Sequence, residues 1–352
     1  MGRWLIVAVF LAPLALVPAS WGASVAEAKN FAFLLLGAGT VIVLVQNPWV
    51  RAFAAWTVAA YLLAGAHGWA LSAAAGVLAW ALLYQSAATL SPAAWRKVRA
   101  AVVVTALGQV AWVGLQVAHW DPIFVPAPVQ SGPPPLFVGP HGWFGNPMDL
   151  ALFLGLALPL CAAVHPLLGG LVAFVLLGLH TTVGAVAVAV TAVWFNWQWL
   201  RGWWTRALLV LAIALAGVSY VRVMDPQGAG LRPLIWGQTV QLIGQRPLVG
   251  WGPNALDRSV IVLTPKTELR WNFIFNEWLQ AWLELGVLGP GLALGYVVTV
   301  VRRLRGRMER ATELAPVFLI VLLASFFSIP FRIGPVALLA ALALGQMERR
   351  LA

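Results

Sequence analysis

The chain has 352 residues, 61% of them hydrophobic and 9% charged, with a mean hydropathy of +0.87 and a formal net charge of +11. Soluble globular chains carry about a quarter charged residues, so this composition excludes an ordinary soluble domain and indicates an integral membrane protein, and apolar runs of about 20 residues favour helices over a β-barrel. A single cysteine, Cys161, excludes an intramolecular disulfide and a cysteine-based metal cluster.

Taken in order, the first apolar run, 3–21, follows an arginine like a signal peptide. Hydrophobicity returns at once behind it, so it reads as a retained helix. Further runs fall at 31–48, 52–66, 68–88, 99–118, 148–164, 166–181, 183–199, 206–222, 276–301, 314–329 and 333–348. The expectation is a single all-α polytopic membrane domain over residues 1–352, with about twelve transmembrane helices. An even number of spans with Arg3 inside puts both termini in the cytoplasm. The inner side then holds 14 of the 22 basic residues and three acidic ones, which accounts for the whole +11. The positive-inside rule therefore explains the charge, and the block "RRLRGRMER" (302–310) reads as a topology anchor rather than a nucleic-acid patch.

Two hydrophilic stretches separate the spans, and both face outward in this topology. Residues 119–147 form a Pro-rich outer loop, whose prolines remove backbone donors and favour extended or turning chain. Residues 223–275 form a large outer (periplasmic) loop. Within it, 234–244 interleaves Leu234, Ile235, Val240, Leu242 and Ile243 with Gln238, Thr239 and Gln241, the pattern of an amphipathic helix at a membrane surface or over a cavity. "RPLVGWGPN" (246–254) then reads as a turn-rich return. No Walker loop, HExxH, GxSxG or zinc pattern occurs, and the glycines of "GWGPN" follow no strand.

The chemistry-bearing residues gather on this outer side. Arg232, Arg246, Arg258, Lys266 and Arg270 lie in the large loop, and Arg332 opens the last span. Guanidinium forks over a membrane cavity suit a diphosphate, because each donates paired hydrogen bonds to phosphate oxygens. The alternative is that they pair with Asp225, Asp257 and Glu268 or touch lipid headgroups. In "FNEWLQAWLELGVLG" (275–289), Asn276, Gln280 and Glu284 are spaced i, i+4, i+8, while Glu277, Gln280 and Glu284 are spaced i, i+3, i+7. All four would share one helix stripe facing protein or a water-filled cavity, since a carboxylate facing lipid is costly. The helix dipole alone explains Glu277, and a structural hydrogen bond is an alternative for Glu284.

Four stretches in order carry a resemblance: "FGNPMDLALFLGLALPL" (144–160), "LRPLIWGQTVQLIGQRPLVGWGPN" (231–254), "FNEWLQAWLELGVLG" (275–289) and "SIPFRIGPVALLAALALG" (328–345). Together they resemble the bacterial O-antigen ligase and O-antigen polymerase superfamily over roughly residues 140–350. The resemblance implies a GT-C-like membrane glycosyltransferase at the outer face of the inner membrane, using no metal and no cofactor. Its donor would be a polyprenyl-diphosphate-linked glycan and its acceptor a lipid or glycolipid, lipid A core for a ligase or a second lipid-linked repeat for a polymerase. The resemblance carries over Arg232, Asn276, Gln280 and Glu284, with Asn146 in the Gly-Asn-Pro stretch. Where the family keeps a histidine this chain has Phe275, and where the family has a Ser-Arg pair it has Thr182 and Val183. Arg232 is then the expected stabiliser of the departing diphosphate, assisted by Arg246 or Arg270. Glu277 is the expected base, with His141 second. A non-catalytic glycolipid-binding relative and a secondary transporter are the other readings. Transporters show repeat symmetry, and no repeat is visible here.

Overall fold

The computed structural model describes residues 39–64, 68–120, 140–196, 226–258 and 274–352, apart from 42 and 145. The expected spans 3–21 and 206–222, most of 31–48 and most of the Pro-rich loop fall outside these residues. So do Lys266 and Arg270. Among the described residues the chain is entirely helical, with no strand. We label its helices α1 (Pro48–Leu63), α2 (Gly68–Thr89), α3 (Pro92–Val117), α4 (Pro147–Val164), α5 (Pro166–Gly178), α6 (Thr182–Phe195), α7 (Pro226–Gln245), α8 (Glu277–Leu285), α9 (Leu288–Arg307), α10 (Leu314–Ala324) and α11 (Gly334–Leu351). Segments Leu71–Thr89, Pro92–Val117 and Pro147–Val164 are long and apolar enough to cross a membrane, and α5, α6 and α10 are shorter apolar helices. This is consistent with the membrane protein the composition indicates.

Four helix starts follow one local rule. Asn47-Pro48, Ser91-Pro92, Asn146-Pro147 and His165-Pro166 each place a capping side chain directly before a proline. The cap accepts from an otherwise orphaned amide one or two residues into the helix, and proline at the first position has no amide to orphan. Asn146 Oδ1 accepts from Met148 N at 2.8 Å, and His165 Nδ1 from Leu167 N at 3.2 Å.

The chain divides into two compact units. One contains α1, α2, α7 from Leu231, α8, α9 and the last residues of α11. In it α9 packs on α1, where Gly295 lies flat against the Trp49 ring: a Cβ there would come within 2.4 Å of it. The buried Tyr84 hydroxyl donates to Glu348 Oε2 at 3.2 Å and accepts from Asn47 Nδ2 at 3.3 Å, and Glu348 also pairs with Arg303. This polar knot is satisfied group by group, as burial requires. Arg305 and Arg307 in the last turn of α9 complement its dipole.

The other unit contains α3 to α6, α10 and the start of α11. Its centre is α4, in which every residue from Leu150 to Cys161 is buried. Helices α3, α5, α6 and α10 surround it. A helix apolar on all sides needs such a jacket. Gly155 admits Ala187 of α6 to a distance at which a Cβ would meet its methyl at 3.0 Å.

The structure departs from the sequence expectation in one informative place. The apolar run 276–301 is not one helix. It breaks at Gly286, which has φ +65° and ψ −170°, so that α8 has nine residues and α9 runs on to Arg307. At ~1.5 Å per residue α8 is about 13 Å long, well short of the ~30 Å hydrocarbon core.

Candidate functional site

Helices α7 and α8 share one apolar core of Ile235, Ile243, Leu256, Ile274 and Leu283, with Trp236, Leu242, Trp251 and Leu279 against it. The expected amphipathic helix is present and extends over Pro226–Gln245, with Pro233 inside it. Ile235, Thr239, Leu242 and Ile243 recur at i, i+4, i+7 and i+8, which puts one face of α7 inward. The fully buried Thr239 hydroxyl donates back to Ile235 O at 2.8 Å. Two indoles join the pair: Trp236 Nε1 donates to Ile274 O at 2.9 Å, and Trp251 Nε1 to Leu242 O at 3.0 Å.

The C-terminal end of α8 is closed entirely by protein donors. A helix leaves its last four carbonyls without intrahelical partners. Here Trp282 O accepts from Gly286 N, Leu283 O from Trp251 N at 2.8 Å, Glu284 O from Gly252 N at 2.9 Å, and Leu285 O from Trp56 Nε1 of α1 at 2.7 Å. The turn 247–252 can approach this closely because Gly250 (φ +70°) and Gly286 (φ +65°) face each other without side chains. The expected turn-rich return at 246–254 is thus a clasp on α8.

The N-terminal end of α8 carries the candidate chemistry. Asn276 is the N-cap, 8% exposed, and its Oδ1 accepts from Leu279 N at 3.0 Å. Glu277 occupies the first turn and is half-buried, where the helix dipole favours its negative charge. Gln280 and Glu284 are 0% and 3% exposed and bond to each other, Nε2 to Oε1 at 3.0 Å. Gln280 Oε1 also accepts from Ile274 N at 3.3 Å. The expected polar stripe therefore divides: Gln280 and Glu284 tie the helix to its own entry segment inside the protein, while Asn276 and Glu277 form the end.

Arg232 comes to this end. Its Cζ lies 5.7 Å from the centre of the Phe275 ring, the residue directly before Asn276. Arg246, just past the end of α7, has its Cζ 4.5 Å over the Trp251 ring. Fourteen residues separate the two arginines, or roughly 20 Å of helical rise, so they serve opposite ends of the α7–α8 pair. His141, Asn146 and Arg332 fall in the second unit. The backbone at His141 and Gly142 is held by Gln116 of α3, whose Oε1 accepts from both amides at 2.9 Å. Nδ1 of His141 lies 3.0 Å from Gly142 O and 3.2 Å from Gln116 Nε2. Asn146 is spent capping α4, and Arg332 is half-buried in the turn before α11. Among the described residues no group of three His, Cys, Asp or Glu is placed to hold a metal.

Sequence reasoning missed Phe275 and Trp251 as aromatic partners of the arginines, and Trp56 as a helix cap. An aromatic residue flanked by Gly250 and Gly252 was the available signal for Trp251.

The site thus sits on a short buttressed helix, in a membrane protein whose described residues form helices and no strand. Residues 167–294 match the family model described as O-antigen ligase. That stretch contains Arg232, Arg246 and Asn276 to Glu284, and leaves out His141, Asn146 and Arg332. A curated protein named O-antigen ligase, from Pseudomonas aeruginosa, is 28% identical over 241 residues. The match covers 62% of this chain and 53% of that protein, so the chain spans about half the relative's length. Both findings support the O-antigen ligase and polymerase superfamily for this chain.

Proposed function

We propose that the protein transfers a glycan from a polyprenyl-diphosphate carrier to a lipid A core acceptor at the outer face of the inner membrane. The observation that carries this reading is the placement of Arg232 against the residue that leads into Asn276 and Glu277, inside the stretch matched by the family model. The fold is a GT-C-like arrangement of about twelve spans with both termini cytoplasmic.

In the reaction the acceptor hydroxyl oxygen attacks the anomeric carbon and forms the new glycosidic bond. The bond from that carbon to the carrier phosphate breaks, and its electron pair leaves with the polyprenyl diphosphate. Glu277 takes the hydroxyl proton. Arg232, joined by Arg270 and Lys266, stabilises the charge growing on the leaving oxygen. Arg246 reaches a more remote part of a lipid-linked substrate. Diphosphate is a good leaving group, so no strong acid is needed, and a base contributes about 10²–10⁴-fold.

The test is transfer by the purified full chain from a lipid-linked glycan, with lipid A core and a second lipid-linked repeat offered as acceptors. Product on the core supports a ligase, and product on the repeat a polymerase. Loss of at least a hundredfold in Glu277→Gln supports the base assignment. Wild-type turnover in that variant ends it.

A further inference from the structure

Four non-glycine residues among those described have positive φ: His119, His180, Asn254 and Phe275. Histidine and asparagine are enriched in this region, and His119 and His180 stand just beyond the ends of α3 and α5, where left-handed residues commonly close helices. Phe275 fits neither explanation. It is a bulky residue at φ +55° in front of a helix start, and such a conformation persists only where the surroundings over-determine it.

The surroundings do so from both sides. Ile274 before it is 1% exposed, with its carbonyl held by Trp236 Nε1 and its amide by Gln280 Oε1. Asn276 after it is fixed by its cap bond and by Gln280 N donating to its carbonyl at 3.0 Å. With both neighbours pinned, the left-handed turn at 275 sets where the ring points. It points under Arg232. Residues 232 and 236 share a face of α7 at i and i+4. One turn of that helix therefore grips the carbonyl before Phe275 and lays a guanidinium over the ring behind it.

An aromatic shelf is a suitable holder for a phosphate-binding arginine. Attraction of a cation to a ring face orients the guanidinium plane without itself using an N–H donor. We infer that Phe275 is a positioning residue that holds the Arg232 guanidinium for the diphosphate of the lipid-linked donor. This rests on the reading that Arg232 binds that diphosphate.

The test measures binding of polyprenyl diphosphate in mixed micelles by the full chain, followed by donor KM and turnover in the transfer assay. Phe275→Leu should weaken binding about fivefold to tenfold, the size expected of a partly desolvated cation–ring contact. Phe275→Tyr keeps a ring and should bind within twofold of wild type. In an Arg232→Ala background Phe275→Leu should cost nothing further, because the ring acts only through the arginine. Phe275→Met replaces the leucine variant if that one unfolds in detergent. Equal binding by Phe275→Leu and wild type overturns the proposal, and so does an undiminished loss in the Arg232→Ala background. A wild-type chain that binds no polyprenyl diphosphate removes the functional reading itself, before any substitution is compared.

Discussion

Replacing Gly286 by alanine should unlock the clasp that defines α8. Its φ +65° and ψ −170° lie in a region essentially reserved for glycine. A Cβ there would lie 2.0 Å from Leu248 O, 2.3 Å from Leu248 C and 2.7 Å from Val249 N. These are backbone atoms, so no side-chain rotation relieves the collision and the turn 247–252 must move. Moving it weakens three bonds: Trp251 N to Leu283 O at 2.8 Å, Gly252 N to Glu284 O at 2.9 Å and Val287 N to Pro247 O at 2.9 Å. The strained conformation costs about 1–3 kcal/mol and each lost bond about 0.5–1.5, which gives a central loss of about 4–5 kcal/mol. Thermal unfolding of the full chain in detergent should show a midpoint lower by roughly 5–10 °C. Gly237→Ala is the matched control. Nothing lies within 4 Å of a Cβ at that helical position, so it should leave the midpoint in place or raise it, with a gain in stability of up to about 0.5–1 kcal/mol. A Gly286→Ala midpoint within a degree of wild type, or an equal fall in Gly237→Ala, refutes the clasp.

Trp56→Phe keeps the ring and deletes the donor to Leu285 O, so the same melting assay should register a loss of about 1–3 kcal/mol from the orphaned carbonyl. Asn276→Ala removes the α8 cap and should cost about 1 kcal/mol in stability. Gln116→Leu takes the acceptor from two amides at once, and hydrogen exchange at His141 and Gly142 should accelerate at least tenfold, unchanged protection there counting against the contact. In the binding assay Arg232→Ala should lower diphosphate affinity tenfold or more and Arg246→Ala less than twofold, because roughly 20 Å of helix separates them; equal losses would place both on one ligand.

The features legible in the sequence are those that depend on period and neighbouring residue type. Interleaved apolar residues at 234–244 announced α7, and the apolar runs at 148–164 and 166–181 begin within a residue of α4 and α5, whereas those at 52–66 and 99–118 begin inside α1 and α3. The paired glycines of "GWGPN" marked the return turn. The break at Gly286 was not legible, because hydropathy averaged over 276–301 sees an apolar run, and a glycine inside such a run is ordinary in membrane helices. What distinguishes Gly286 is Leu248, 38 residues earlier in the chain, pressed against it. The same limit hid Phe275. Its residue type argued against a polar role, and only the pinned neighbours turn its ring toward Arg232.

The two ends of α8 therefore have different work. Its last turn gives one free carbonyl to Gly286 N and the other three to donors on α1 and the 247–252 turn, so each has a protein donor and that end gains stability. Gln280 and Glu284, buried along the shaft, tie Ile274 to the helix and pass that rigidity to the entry segment. The first turn keeps its positive dipole end beneath Asn276, beside Phe275 and Arg232. A nine-residue helix held only by its own hydrogen bonds would be marginal in water. Anchored at its far end, it can hold a strained residue at its near end, where a positive dipole and the Arg232 guanidinium come together, and the proposed stabilisation of an anionic leaving group rests on that pairing.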